Sequence, residues 1–522
     1  MMDIKTLLED EIDILYTTLD RLKIYDIRLS HTKDGRIFAK DADSQWTGKN
    51  FYKFLLNDAI VYNQDGTSSV LTEHTLTYLR QLGKHYGAAF PFMELEENNM
   101  NTQQIIAISI FAIVMILIIS EKIDRTVVAL SGAALMFLFK IVTFEEGISH
   151  IDFNTLFVLI GMMIVVAIVK KSGLFEYVAI LTAKISKGDP SKIMVYFMII
   201  TAVLSAILDN VTTVLLIGPM TLVISDILSI NPIPFLMTQI IASNVGGTST
   251  LIGDPPNIMI GSAAGLSFGD FVVNLGPVIL IILLLLIFIF KFIYRKELVK
   301  SPQAEELISN LDEKKAIQDK TLLIKSLFVL ALILVGFMTH SKLGIESSVV
   351  AITGACILLL IGKQDPHEII YSVEWPTIAF FAGLFIVVGG LSNTGVISML
   401  AKLLVEKTHG DVILTMFLLL WISAIVSSFL DNIPFVATLI PLILTMHTQG
   451  MDVTPLWWAT SLGACLGGNG TLIGASANVV LASVGQKHGY PITFKSFLKV
   501  GFPIMIFTVI ISTIYLTIKF AI

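Results

Sequence analysis

The chain has 522 residues, of which 54% are hydrophobic and only 15% are charged, and its mean hydropathy is +0.80. A soluble domain of this size has no core that could bury so much apolar sequence, so the composition excludes an ordinary soluble protein and favours a lipid bilayer as its solvent. The net charge of −6 gives no reason to expect a nucleic-acid partner. Two cysteines, Cys356 and Cys465, are too few for a disulfide scaffold.

Residues 1–99 differ in composition from the rest of the chain. They contain charged amphipathic stretches at 5–23 and 72–87 and a turn signal, Asn-Gln-Asp-Gly, at 63–66. These patterns predict a small soluble α/β domain of accessory function, and its side of the membrane stays open. An excess of acidic over basic residues disfavours a DNA-binding winged helix.

The chain from about residue 100 onward is a series of apolar segments, most of them long enough for a helix to cross roughly 30 Å of hydrocarbon. The ten candidate spans are 104–120, 126–142, 154–171, 235–261, 271–293, 322–339, 346–362, 375–392, 456–484 and 498–518. Two further apolar regions, 193–225 and 412–446, are interrupted by Leu-Asp-Asn, so each is either two crossings or one re-entrant hairpin. The pattern predicts an all-α polytopic protein of the plasma membrane.

The second half of the membrane part repeats the first at a shift of 222 residues. The segment 151–166 matches 373–388, and 246–257 matches 467–478 after the loss of one residue. The equivalent third and eighth spans are separated by an odd number of crossings, so the second copy is inverted relative to the first. Inverted repeats with breaks at matching positions are typical of alternating-access transporters.

This repeat defines the predicted domains of the membrane part. They are a first repeat at 100–300, a linker at 301–321 and a second, inverted repeat at 322–522. Lysines and arginines cluster in the central loop, and the excess of positive charge predicts that the linker is cytoplasmic.

Asp209-Asn210 and Asp431-Asn432 occupy matching positions in the two interrupted regions. A carboxylate inside an apolar stretch costs at least a few kcal/mol, so it is rarely incidental. Each aspartate could simply cap the helix that follows it. Such a turn in mid-membrane nevertheless presents helix ends to a bound ion, and its recurrence in both copies favours binding of a coupling cation or proton.

The segments 244–257 and 467–478 combine Gly, Asn, Thr and, in the first copy, two prolines. A bilayer tolerates this composition where a helix opens onto a cavity. Close packing through small residues is the alternative explanation, but it does not account for Asp254 or for prolines beside Asn257. Ala475 replaces Asp254 in the second copy, so the predicted site is asymmetric in charge.

The predicted substrate- and ion-binding residues all belong to these four segments, and sodium is the metal expected there. They are Asp209, Asn210, Asn244, Gly246, Gly247, Thr248, Thr250, Asp254, Asn257, Asp431, Asn432, Asn469, Thr471, Ser476 and Asn478. Asp152 and Glu374 also match each other, but their place at span entrances favours ordinary solvated residues. Trp457 and Trp458 resemble a membrane-interface belt.

The motifs LDNVTT, SNVGGTSTLIGDPPN, LDNIPFVATLIP and GGNGTLIGASAN resemble the ArsB/NhaD-type permeases of the ion transporter superfamily, which are P protein-like and related to dicarboxylate/sodium symporters. The resemblance covers about residues 104–522. It implies two re-entrant hairpins, two unwound helices with binding loops at the tips and breaks, and a homodimer. Related dicarboxylate carriers hold sodium with Ser-Asn-Thr tips, so the Leu-Asp-Asn tips here disfavour di- and tricarboxylate uptake.

The leading functional hypothesis is a secondary active ion transporter that exchanges its substrate for protons or sodium. An anion or arsenite permease is the alternative, and a channel-like or sensor membrane protein is the alternative of another class. The expected partners are a small inorganic ion or small anion and the lipid bilayer. We expect neither enzymatic activity nor a cofactor beyond the coupling ion.

Overall fold

The computed structural model describes residues 101–120, 122–299, 304–309 and 312–521, together with five short strands before them. The chain divides into two compact units, Met1–Met100 and Asn101–Ile522. The amphipathic stretches at 5–23 and 72–87 lie outside the described residues.

The described strands of the first unit are β1 Arg28–His31, β2 Ile37–Lys40, β3 Gln45–Thr47, β4 Ile60–Tyr62 and β5 Ser68–Val70. Strands β1, β2 and β3 form an antiparallel sheet in that order, with Leu29 opposite Ala39 and Ala39 opposite Trp46. Strand β4 pairs antiparallel with β5, with Ile60 opposite Val70. This pairing confirms the hairpin that the turn signal between the two strands predicts.

The membrane unit is helical, and its helices follow the same order in each half. The first ten are α1 Thr102–Ser120, α2 Arg125–Leu138, α3 Phe144–Ser149, α4 Phe153–Lys170, α5 Leu174–Ile185, α6 Pro190–Ile207, α7 Asn210–Leu228, α8 Ile233–Thr248, α9 Pro255–Ala264 and α10 Phe268–Ile293. The last ten are α12 Lys320–Leu343, α13 Ser347–Gly362, α14 Pro366–Tyr371, α15 Trp375–Asn393, α16 Val396–Lys407, α17 Val412–Phe429, α18 Asn432–Thr448, α19 Thr454–Gly467, α20 Ser476–Lys487 and α21 Phe494–Phe520.

The linker contains helix α11, Ala304–Ser309, and a 3₁₀ turn, Glu313–Ala316. Helix α12 begins at Lys320, so the described linker ends slightly before the predicted boundary. The Lys184 ammonium lies 2.6 Å from the Glu313 carboxylate, and its hydrogen bond lowers the pKa of Glu313. This contact holds the linker against helix α5 of the first half.

Nine helices of the described residues are long and apolar enough to cross a membrane: α1, α4, α6, α7, α10, α12, α15, α17 and α21. Helices α2, α13 and α18 are apolar but shorter. Large apolar side chains such as Leu138, Phe288 and Leu360 point outward from the protein, as contact with lipid requires. The chain is therefore a multi-pass membrane protein, as the sequence predicts.

Each Leu-Asp-Asn motif separates two helices by a short extended turn. Leu208 and Asp209 have extended backbone between α6 and α7, and the Asp209 carboxylate accepts a hydrogen bond from the Thr212 amide at 2.8 Å. Asp431 caps α18 in the same way through the Ile433 amide at 3.2 Å. The predicted capping function of both aspartates is confirmed.

The two glycine-rich segments interrupt helices at the predicted places. Helix α8 ends at Thr248 and α9 begins at Pro255, whereas α19 ends at Gly467 and α20 begins at Ser476. Proline at the first helical position has no N–H to leave unsatisfied and has a φ angle suited to a new helix. The single apolar segments 235–261 and 456–484 of the sequence are therefore broken helices.

Glycines allow the two halves to pack closely against each other. Gly161 of α4 lies against the backbone of Ala351 in α13, and Gly383 of α15 lies against the backbone of Ala129 in α2. The two contacts are equivalent under the 222-residue shift.

Trp457 and Trp458 lie in the interior of the protein, and Trp457 has 5% of its surface exposed. The predicted interfacial position of these two residues is therefore wrong.

Candidate functional site

One small cavity, of about 30 Å³, lies where the Leu-Asp-Asn turns meet the helix breaks. Five predicted binding residues line it together: Asp209, Asn210, Asp254, Asn432 and Ser476. The turns from the two halves therefore lie beside the same space. This space is the candidate functional site.

Asp254 is the most deeply buried carboxylate of the site, with 1% of its surface exposed. It lies immediately before helix α9, and the Asn432 amide donates to its two oxygens at 3.2 and 3.3 Å. In the described part of the chain no ion pair joins Asp254 to a basic side chain. Burial of a carboxylate charge without a basic partner costs several kcal/mol, and a bound proton or cation would remove that cost.

Asp431 has a different environment, because a basic residue faces it. The Arg125 guanidinium lies 3.2 Å from the Asp431 carboxylate and donates to the Ser476 hydroxyl at 2.5 Å. Ser476 in turn donates to Asp431 at 2.7 Å. Asp431 is thus neutralised by the protein itself.

Glu374 also lines the cavity, although its position at a span entrance favoured a solvated residue. Its carboxylate accepts a hydrogen bond from the Thr377 hydroxyl at 3.2 Å. Asp152, its match in the first half, caps α4 through Thr155, which agrees with the ordinary function expected of it. Glu374 therefore adds a third carboxyl group, beside Asp209 and Asp254, to the wall of the cavity.

A network of four asparagines joins the turns to the breaks. The Asn244 amide nitrogen donates to the side-chain oxygens of Asn469 and Asn478, both at 2.9 Å. The Asn244 oxygen accepts from the Asn210 amide at 3.2 Å. All four side chains are buried, so this network fixes how the first and second halves meet.

We expect Asn244→Asp to destabilise the protein strongly. The new carboxylate would face the oxygens of Asn469 and Asn478 and would lose two buried hydrogen bonds, at a cost of about 1–3 kcal/mol for each unsatisfied group. The midpoint of thermal unfolding of the purified protein in detergent measures the effect. Asn231→Asp is the matched control because Asn231 is exposed at the start of α8, where aspartate also caps. Equal midpoints for the two variants would contradict the proposed network.

Six predicted binding residues shape the backbone of the breaks and do not line the cavity. The Asn257 amide donates to the carbonyls of Thr248 and Thr250 at 3.1 and 2.9 Å, and Asn478 donates to Thr471 at 2.9 Å. These bonds satisfy carbonyl groups that the broken helices leave free. The six are Gly246, Gly247, Thr248, Thr250, Asn257 and Thr471.

Gly246 and Gly247 are among the predicted binding residues. In the structure, Gly246 faces the backbone of Ala202, and Gly247 faces the backbone of Gly253. A side chain at either position would collide with these atoms. Both glycines therefore serve close packing, which was the alternative explanation for this segment.

A family model described as CitMHS, citrate transporter, matches residues 115–463, which is well over half of the chain. The chain belongs to the citrate transporter family. It is a membrane transporter of the ion transporter type, located in the cell membrane as predicted.

Two relatives extend the family assignment. An uncharacterized transporter of Mycobacterium tuberculosis is 42% identical over 424 residues, covering 80% of this chain and 98% of the relative. The human P protein is 32% identical over 540 residues, covering 86% of this chain and 64% of the relative. The predicted resemblance to P protein is confirmed.

A solved structure supports the fold. The MtrF protein of Neisseria gonorrhoeae, described as illuminating a class of antimetabolite efflux pumps, has a TM-score of 0.50 at 12% identity. The match covers 81% of this chain and 95% of that chain. At this identity the likeness is one of fold alone.

The family description bears on the expected substrate. The Leu-Asp-Asn tips disfavoured di- and tricarboxylates, yet this chain belongs to a family described by citrate transport.

Sequence reasoning missed Arg125, and it assigned Glu374 to the solvent. Arg125 follows the capping residue Asp124 at the start of a short apolar helix, where a basic residue is ordinary. Comparison of the two copies of the repeat could have identified Arg125, because the position that matches it in the second copy is Ser347. A charge present in one copy alone marks a difference between the two sites.

Proposed function

We propose that this family member is a secondary active antiporter of the ArsB/NhaD type, in which transport of a small ionic substrate is coupled to a proton or sodium ion. In this proposal its halves are inverted repeats that alternate access to the cavity. Exchanged contacts between the halves support the repeat: α4 packs on α13 as α15 packs on α2, and α7 packs on α20 as α18 packs on α9.

The observation that carries the proposal is the isolation of Asp254. Its carboxylate is buried at a helix break, and its described hydrogen-bond partners are neutral, namely the Asn432 amide and the Cys465 thiol. Burial of an unpaired charge costs several kcal/mol, so the group binds a proton or a cation whenever the cavity is closed. A carboxyl group that binds a proton or cation in one conformational state and releases it in another is suited to coupling the transport of two ions.

The arrangement of the carboxyl groups favours a proton or a monovalent cation. Asp209, Asp254 and Glu374 line one cavity, but the described residues contain no group of three or more His, Cys, Asp or Glu side chains placed to hold a metal ion. Carboxylate and neutral amide oxygens both line this cavity, and oxygen ligands of these kinds suit a hard cation such as sodium.

Transport of an anion is a second candidate, supported by two observations. Arg125 lines the same cavity as Asp209, and its guanidinium is the type of group that binds carboxylates. The family model is described by citrate transport. A tricarboxylate would then be the substrate, and the proton or sodium ion the coupling ion.

Flux through the purified full chain in proteoliposomes tests both candidates. A sodium gradient is imposed across vesicles that contain a pH-sensitive dye, and labelled citrate uptake is measured separately under sodium and pH gradients. Sodium-dependent proton movement supports antiport, and gradient-driven citrate uptake supports the second candidate. Ion flux with no coupling would contradict both and favour a channel.

We expect Asp209→Asn to reduce coupled flux while the protein stays folded. Asparagine caps a helix about as well as aspartate, so α7 keeps its start while the cavity loses a carboxylate. Initial rates of coupled flux measure the effect. Asp411→Asn is the matched control because Asp411 caps α17 through Ile413 at 2.8 Å and does not line the cavity. Equal rates for the two variants would show that Asp209 is not part of the coupling site.

A further inference from the structure

Arg125 lies between two cavities. The inner cavity is the candidate site, and a larger one of about 260 Å³ lies on the other side, lined by residues that include Ile118, Phe429 and Val480. Both cavities touch Arg125 and Ser476. Asp431 lines the larger cavity together with Arg125, so the Arg125 guanidinium occupies the place beside Asp431 that a cation in that cavity would take.

The contacts of Arg125 fix its charge at that position. Its guanidinium pairs with Asp431 at 3.2 Å, and its carbon lies 5.2 Å from the centre of the Phe380 ring. The exposed fractions of the Arg125 and Asp431 side chains are 33% and 13%, so the carboxylate is mostly buried and the guanidinium is partly exposed. A guanidinium does not lose its proton in proteins, so this positive charge is permanent.

The first copy has no equivalent of this arrangement. Under the 222-residue shift, Asp431 corresponds to Asp209 and Arg125 corresponds to Ser347. The Ser347 hydroxyl accepts a hydrogen bond from Asn154 at 3.3 Å. Ser476, which bridges Arg125 and Asp431, corresponds to Pro255, which has no hydroxyl. One aspartate of the repeated pair thus has a built-in cation and the other does not.

We propose that Arg125 is a tethered cation that occupies the coupling-ion position of the second copy, so that the transporter exchanges its coupling cation at the first copy alone. This inference rests on the proposed function, because it presupposes that the repeated aspartates are coupling positions. Arg125 is then a residue that sets how many cations are exchanged in each cycle.

Arg125→Ser tests the inference, since it gives the second copy the residue that the first copy has. Coupled flux is measured in proteoliposomes as a function of sodium concentration at fixed pH, and as a function of pH without sodium. In the wild type we expect a Hill coefficient of about 1 for the coupling cation, and in Arg125→Ser a rise toward about 2, the number of sites then open. An unchanged coefficient in the variant would overturn the inference.

Two further variants identify Asp431 as the added site. The double variant Arg125→Ser, Asp431→Asn should return the Hill coefficient to about 1, because the second carboxylate is gone. Arg125→Lys keeps a positive charge and should also keep the coefficient at about 1. A coefficient that stays high in the double variant would contradict the assignment of the second ion to Asp431.

Asp431→Asn alone keeps the inference testable if Arg125→Ser does not fold. It keeps the cap of α18 and leaves Arg125 unpaired, so we expect slower flux that retains a Hill coefficient of about 1. Loss of coupling equal to that of Asp209→Asn would overturn the inference. Absence of any coupling ion in the wild type would instead overturn the proposed function, so the two failures are distinguishable.

Discussion

Asp254→Asn is expected to abolish cation-coupled flux while leaving the protein folded. The side chain is the buried carboxylate without a described basic partner, so in the proposed function it is the group that binds the coupling proton or cation. Removing one partner from a buried pair of charges costs about 3–5 kcal/mol. That loss corresponds to at least about 100-fold in affinity for the ion.

The stability of the same variant separates loss of binding from loss of structure. The new amide oxygen can still accept the hydrogen bond from Asn432, and the cost of burying a charge disappears. The thermal midpoint in detergent should therefore equal or exceed that of the wild type, whereas Asn244→Asp lowers it. Coupled flux that persists in Asp254→Asn at wild-type ion dependence would exclude Asp254 as the coupling group.

The main features of the membrane part could be predicted because few arrangements are tolerated within lipid. An aspartate and asparagine in the middle of an apolar segment required a helix end, and the structure has one at Asp209 and another at Asp431. Proline and glycine beside Asn257 required a broken helix for the same reason. In these places the surrounding lipid determines the local structure, so the local sequence is sufficient to predict it.

The composition of the cavity wall could not be predicted from local sequence. Glu374 and Arg125 lie at helix starts, where charged residues are common in any membrane protein, and only tertiary packing brings them to Asp209.

The sequence also does not determine what lies beside the glycines of the helix breaks. Space beside Gly246 can be filled by a ligand or by another backbone, and the sequence does not state that Ala202 lies there.

Gly161→Val and Gly383→Val are each expected to destabilise the protein strongly. A Cβ atom at residue 161 would lie 2.7 Å from the Ala351 carbonyl carbon, and one at residue 383 would lie 2.8 Å from that of Ala129. Both obstacles are backbone atoms of another helix, which cannot rotate away as a side chain does. Overpacking of this kind costs about 1–3 kcal/mol and more where backbones must separate. The yield of monodisperse protein and its thermal midpoint measure the loss.

The comparison between these two variants also tests the repeat. Because each glycine meets the equivalent alanine of the other half, the two substitutions should lower the thermal midpoint by similar amounts. Gly276→Val is the matched control, since the nearest atom to its added Cβ is a Val272 side-chain carbon at 3.9 Å, an ordinary contact. A large drop in thermal midpoint for one variant and none for the other would show that the two interfaces contribute unequally to stability. In that case the packing of α4 on α13 and of α15 on α2 would not support treating the two halves as equivalent in alternating access.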